Sequence, residues 1–431
     1  MSKPARRKRG APAEGGDLSD DALLDLVQQR TLRYFWDFAH PVSGLARDRS
    51  DPHDDQTPDT CAIGGTGFGV MTIIVGVERG WIPREAAVDH LLKLVPFLYR
   101  GSGYHGAWPH FMNGSTGRTI PFGRRDDGGD IVETSFMLMG LLCARQYFDR
   151  PEGKEAGLRG WIRTLWHEAE WNWFTQGGRR VLYWHWSPNY GWAMDHEIRG
   201  WNECLVTYVL AAGSPTYPID PVVYHKGWAA GRDFLSGREH LGIKLQLGPP
   251  LGGPLFFTHY SFMGIDPHGL KDRYADYWAQ NVAHVALNRA HCIANPHGWK
   301  GYGEACWGLT ASDNDRGYDA HAPDNDLGVI SPTAALSSFP YAPEECMRVL
   351  RHFYTNLGDR IWSDMGFVDA FSESRDWYAK NYIAIDQGPI VVMIENWRTG
   401  LLWRLFMSCP EVQEGLRRLG FTSPWLQAPA A

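Results

Sequence analysis

Apolar positions recur with helical spacing along nearly the whole chain, and the segments that carry them are of two kinds that alternate. One kind has a charged face and an apolar face: residues 20–38, 84–100, 154–173, 221–238, 344–357 and 411–419. The other is apolar or small on almost every side: residues 64–77, 131–148, 204–213, 274–293, 331–339 and 389–407. A helix without a wet face must be surrounded by other helices. Six of each kind, in alternation, predict an all-α fold: an (α/α)6 barrel of six helical hairpins, with the apolar helices as its inner ring. No tandem repeat of 20–50 residues points to a solenoid instead. Long irregular segments (101–129, 177–200, 239–269, 294–330 and 358–387) join the hairpins, and loops of this length in a compact domain usually carry function. They precede apolar helices, so they should gather at the N-terminal ends of the inner ring.

Composition narrows the picture. The 431 residues are 44% hydrophobic and 21% charged, with a net charge of −7, so the chain can bury a core and offers no basic field for a phosphate backbone. Nucleic acid is not an expected partner. The longest apolar run, residues 69–77, is half the length of a membrane span. Residues 1–17 read as a disordered basic leader without the apolar stretch of a secretory signal, and residues 18–426 as one catalytic domain. As written, that places the chain in the cytoplasm. Seven cysteines without a CxxC pair read as buried thiols. The 20 tryptophans, against 19 Phe and 18 Tyr, are in excess, and many stand in loop-like sequence such as YWHWSPNYGW and GWKGYGEACWG. Flat aromatic faces on loops suit stacking on sugar rings.

Three acidic positions stand at the starts of inner helices. RRDDGGDIVETSF holds Arg125, Asp126, Asp130 and Glu133, and Asp130 with Glu133 three residues later is also a capping-box pattern. Glu203 in WNECLVTYVLA follows an Asn202 cap and leads into an apolar helix. Asp386 in YIAIDQGPIVV reads as an N-cap with Pro389 in the first turn. Capping and catalysis are compatible, because a side chain at such a position can face the ring's mouth. Carboxyl pairs in an aromatic cleft are the equipment of glycoside hydrolysis. No G-x-S-x-G, phosphate-binding loop or HExxH competes, and the aspartates of ASDNDRGYDAHAPDNDLG lack the order of a calcium-binding EF-hand. No metal and no cofactor are expected.

Four stretches sharpen this: FTHYSFMGIDPHGLKD (257–272), ASDNDRGYDAHAPDNDLGVISPTAALSSFPY (311–341), GFVDAFSES (366–374) and YIAIDQGPIVVMIENWRTG (382–400). With DIVETSFMLMGLL and WNECLVTYVLA, they resemble the bacterial glucoamylase-like domain family, whose members include β-1,2-glucanases of glycoside hydrolase family 144. The resemblance covers roughly residues 20–422. It implies an (α/α)6 barrel that cleaves β-1,2-linked glucan with inversion of configuration. An endo-acting enzyme is the first reading; exo release of sophorose, transglycosylation and a non-catalytic glycan-binding protein are the alternatives. The resemblance assigns the general acid to Glu203, makes Asp386 the candidate base and gives Glu133 a part in catalysis. Substrate contacts are expected from Asp126, Asp130, Arg125, Trp184, Trp186, Tyr190, Trp192, Trp201, His259, Tyr260, Trp299, Trp307 and Trp377. Relatives of this kind act outside the cytoplasm, which makes a periplasmic or secreted protein the alternative if a leader is missing.

Overall fold

The computed structural model describes residues 18–50 and 59–426, so the leader expected over residues 1–17 lies outside the described residues. Among the described residues fourteen α-helical segments follow one another: α1 (Asp20–Trp36), α2 (Ile63–Glu78), α3 (Arg84–Arg100), α4 (Ile131–Tyr147), α5 (Gly153–Glu168), α6 (Leu205–Gly213), α7 (Pro221–Val223), α8 (Tyr277–Ala294), α9 (Pro332–Leu336), α10 (Pro343–Asn356), α11 (Gly358–Ile361), α12 (Ala384–Thr399), α13 (Leu401–Met407) and α14 (Pro410–Arg418). Short two- to four-residue strands are confined to the connecting segments. None of the described helices is long and apolar enough to cross a membrane.

Burial follows the two kinds of helix read from the sequence. α2, α4, α6 and α12 are buried along almost their whole length, whereas α1, α3, α5 and α10 bury one face. α2 packs against both α4 and α12. Glycine makes the first of these contacts close: a Cβ on Gly67 would stand 2.3 Å from the Phe136 carbonyl oxygen, and one on Gly140 2.1 Å from the Gly67 carbonyl oxygen. α4 continues to α6, and α9 lies against α12, where the Thr333 hydroxyl donates to the Asp386 carbonyl at 2.6 Å.

The place between α6 and α9 departs from expectation. The helix expected to be inner over residues 274–293 is α8, and it buries only one face. Its Gln280, His284 and Asn288, spaced four apart, form a polar stripe that binds irregular backbone: Gln280 at Leu247, His284 at Gly253 and Asn288 at Leu309, with bonds of 3.0, 3.0 and 3.1 Å. Two 3-10 turns, Leu255–Thr258 and Ser261–Met263, lie there instead, inside a segment expected to be loop. The Ser261 hydroxyl accepts from Val206 N–H on α6 at 3.0 Å, and His259 meets the Ser338 hydroxyl at 2.9 Å just after α9. With α8 outside, α14 is an additional helix packed on α6. Two further differences have local causes. The expected 389–407 helix is broken at Gly400, whose φ of +69° ends α12. The expected 221–238 helix is an α-turn followed by a π-turn over Tyr224–Trp228 and ends there.

Candidate active site

The candidate site residues stand at or just before the N-terminal ends of α2, α4, α6 and α12. Asp130 is the N-cap of α4: its Oδ1 accepts from Val132 N–H and Glu133 N–H, both at 2.9 Å. Its Oδ2 faces His110 Nδ1 (3.3 Å), Trp184 Nε1 (3.2 Å) and His185 Nε2 (3.5 Å), and His185 Nε2 also lies 3.1 Å from Asp126 Oδ2. One turn on, Glu133 Oε2 accepts from Gly64 N–H at the start of α2, at 2.7 Å. Burial pulls His110 and His185 towards the neutral form, but Glu133 and Asp130 beside the first, and Asp126 and Asp130 beside the second, outweigh it. Both are pushed up to about 9. Burial works on Asp130 in the other direction, yet the two imidazoliums hold its carboxyl well below the usual range. Glu133, buried and facing the Asp130 charge, is raised.

Glu203 stands two residues before α6, partly exposed, with its backbone carbonyl fixed by the Ser261 hydroxyl. Loss of solvent raises its carboxyl to about 7, and the negative charges of Glu133 and Asp130 add to the effect. Across the site, Asp386 lies in the first turn of α12 and is 1% exposed. It is not the N-cap expected from the sequence: Ile383 holds that position and Pro389 lies inside the helix. Asp386 and Asp369, both buried, form a carboxyl pair: burial raises both, the Asp369 charge adds to it at Asp386, and the Asp313 charge adds to it at Asp369. Two such groups cannot both be ionised in a dry site, so they share a proton.

The Tyr260 hydroxyl donates to Asp386 Oδ1 at 3.3 Å; burial raises it, and the charges of Asp386 and Glu203 add to the effect. The remaining links run through the other side. Glu133 senses Asp48, Asp48 senses His110 and Asp313, and Asp313 N–H donates to Asp369 Oδ2 at 2.8 Å. Arg49, 2.6 Å from Asp313, offsets part of this charge. Followed in order, the acidic groups form a circuit that returns to Glu203. Asp126, Asp130 and His185 also bring three metal-ligating atoms within 4.8 Å of one another. There the His185 proton, bonded to both carboxylates, already supplies the positive charge a cation would bring.

Residues 195–410 match the family model described as glucoamylase (Glycoamylase). A solved structure of an endo-β-1,2-glucanase from Chitinophaga pinensis, in complex with sophorotriose and glucose, is 53% identical, with a TM-score of 0.93 over 95% of this chain and 100% of that one. The chain belongs to the glucoamylase-like family. An exo β-1,2-glucooligosaccharide sophorohydrolase (non-reducing end) from Parabacteroides distasonis is 44% identical over 423 residues, 93% of this chain. The chain spans 58% of that relative's length. A solved β-1,2-glucanase from the same organism gives a TM-score of 0.91 at 43% identity, over 94% of this chain and 60% of that one.

Within this family frame the expected substrate contacts divide. Trp184, Trp186, Trp192, Trp299 and Trp377 are partly exposed, and Tyr190 is exposed with Arg124 over its ring at 5.8 Å. Trp184 stacks on His196 at 5.0 Å, close to the Asp130 cluster. Arg125 is exposed and donates to the Ala193 carbonyl at 3.2 Å, tying two rim loops together. Four expectations are corrected. Trp201 is buried against Trp228, Phe262 and Tyr277; Trp307 is fully buried; His259 is sealed against Ser338 and pushed down to about 3 by burial. Tyr260 is 6% exposed, with its ring stacked on Phe256 at 5.1 Å, so none of the four offers a face to a sugar. The sequence reading missed His110, His185, Asp48 and Asp369. Asp369 carried a signal, since it lies within the GFVDAFSES stretch, but one aspartate in an irregular segment does not reveal a partner 17 residues later in a helix.

Proposed function

We propose that this chain is a glycoside hydrolase that cleaves β-1,2-linked glucan with inversion, first of all as an endo-acting enzyme. The observation that carries the proposal is Glu203: a partly exposed carboxyl that keeps its proton to about 7, in the same acidic circuit as a buried carboxyl pair. Glu203 is the proton donor to the glycosidic oxygen, and its raised proton affinity keeps it loaded near neutral pH. The Asp386–Asp369 pair, with one proton and one negative charge, is the base that finally receives the proton of the attacking water. Because Asp386 is buried, that proton travels through a hydroxyl: Tyr260 gives its proton to Asp386 as it takes one from water. Inversion needs the two carboxyl sets about 6.5–9.5 Å apart, with room for water. Tyr260, bonded to Asp386 and within the electrostatic reach of Glu203, supports their acting in one site. Glu133 and Asp130, with Asp126 and the two imidazolium partners, set the charge around Glu203. Trp184, Trp186, Tyr190, Trp192, Trp299 and Trp377 are the stacking faces.

The scaffold belongs to the same proposal. α2, α4, α6, the turns at 255–263, α9 and α12 form the inner ring of an (α/α)6 barrel, and α1, α3, α5, α7, α8 and α10 the outer one. The neighbour contacts described above support this closure. A β-1,2-glucanase from Talaromyces funiculosus, at 13% identity, shares the fold with a TM-score of 0.65. The exo reading is kept as the second, because the Parabacteroides relative carries that name. Incubation with linear glucans of different linkage decides. An endo enzyme produces a ladder from β-1,2-glucan, an exo enzyme produces sophorose alone, and no release from β-1,2-glucan would overturn the substrate proposal.

A further inference from the structure

A second convergence of side chains lies among groups that have no part in this reaction. The Cys306 sulfur, a His352 ring nitrogen and a Glu373 carboxylate oxygen lie within 4.8 Å of one another. They arrive from three places. Cys306 closes a turn whose Gly303 N–H donates to its carbonyl at 3.0 Å; His352 is on α10; Glu373 follows the strand Phe371–Ser372. Several ties hold these places together. Lys300 N–H donates to the Ser374 hydroxyl at 2.7 Å, and Arg348, on the same helix as His352, pairs with Glu304 at 3.6 Å. Gly301, at φ +91°, lies against Glu373: a Cβ there would stand 2.2 Å from Oε1. Among the described residues, none of the three ligating groups makes a hydrogen bond or ion pair. Three polar groups thus face one another with no protein partner to account for it.

We propose that Cys306, His352 and Glu373 bind one divalent transition-metal ion, zinc above all, with water in the fourth position. One sulfur, one nitrogen and one oxygen suit zinc, whereas magnesium and calcium take oxygen alone. Bonds of about 2.0–2.3 Å require the ligand atoms to close by roughly 1 Å, within reach of side-chain rotation. Cys306 is 2% exposed, while His352 and Glu373 are partly exposed and leave a way in. On binding, the thiol loses its proton to solvent and the thiolate, neutral imidazole and carboxylate donate electron pairs to the metal. The ion is a brace, not a reactant. It fastens α10 to the strand that pairs with Trp377–Tyr378 and to the loop in which Arg375 lies over Trp299, at 5.8 Å.

The test uses the full chain freed of metal by a chelator, then titrated with zinc chloride by calorimetry and with cobalt(II) by absorption. The expected result is one equivalent bound, a thiolate-to-cobalt charge-transfer band, and a thermal midpoint that rises with zinc. Cys306→Ser should lose the band and weaken zinc binding by about a hundredfold or more. His352→Ala, on an outer helix, should weaken it about tenfold or more while circular dichroism stays unchanged. Failure to bind stoichiometric zinc at micromolar concentration would overturn the proposal. So would binding that survives His352→Ala undiminished, or that disappears only when His185 is replaced.

Discussion

Replacing Glu203 by glutamine keeps the shape of the side chain and removes both its proton and its charge. In the folded chain the carboxyl is raised from 4.5 to about 7, first by burial and then by Glu133 and Asp130. At about 1.36 kcal/mol for each tenfold change in proton affinity, holding the anion in the fold costs about 3 kcal/mol. Water reaches this partly exposed group, so about 1–3 kcal/mol is the range to expect. The direction follows from where the proton sits. Between pH 4.5 and about 7 the folded carboxyl keeps a proton that the unfolded chain has released. The contribution is therefore complete below pH 4.5 and lost as the pH rises through 7. Glutamine has no such loss. In urea unfolding, Glu203→Gln should match the wild type at pH 4 and exceed it by about 1–3 kcal/mol at pH 8. The same variant should release reducing sugar from β-1,2-glucan about 10²–10⁴-fold more slowly, the usual cost of removing a general acid. Equal stability at pH 8 would refute the burial argument, and an unchanged rate would remove Glu203 from the mechanism.

Other consequences can be tested separately. Gly67→Ala pushes a methyl group into the α4 backbone at 2.3 Å from the Phe136 oxygen, and should cost about 1–3 kcal/mol or more, read as a lower urea midpoint. Asp130→Asn removes the charge that His110 and His185 share; NMR titration should find both moved down from about 9 towards 6.5, with activity lost. Asp369→Asn removes the like charge beside Asp386 and so lowers the proton affinity of Asp386. The acidic limb of the kcat/KM profile should then move to lower pH, and an unmoved limb would exclude the pair as the base.

The parts legible in the sequence are those set by local spacing. The uniform apolarity of α2 and α4 marked them as inner helices, and Asp130, Glu133, Glu203 and Asp386 were found because each stands at the start of such a helix. α8 was misplaced because its many apolar residues hid a stripe of Gln280, His284 and Asn288, whose partners are backbone groups 21–34 residues away. The turns at 255–263 lack helical length, so nothing in their spacing announced them. The other half of the site rests on long-range pairing. Arg49 reaches it because its strand pairs with Tyr382–Ile383, more than 300 residues on. Trp201 and Trp307 show the limit for single aromatics: flanking glycine and asparagine look the same whether the ring faces a groove or the core.

The most direct test of the account is the anomeric configuration of the first product from a β-1,2-gluco-oligosaccharide, followed by proton NMR as the reaction starts. A Glu203 donor acting with a base that activates water predicts the α-anomer first, with the β-anomer growing only by mutarotation. The β-anomer appearing first would mean a covalent intermediate, and would contradict the division of work between Glu203 and the Asp386–Asp369 pair.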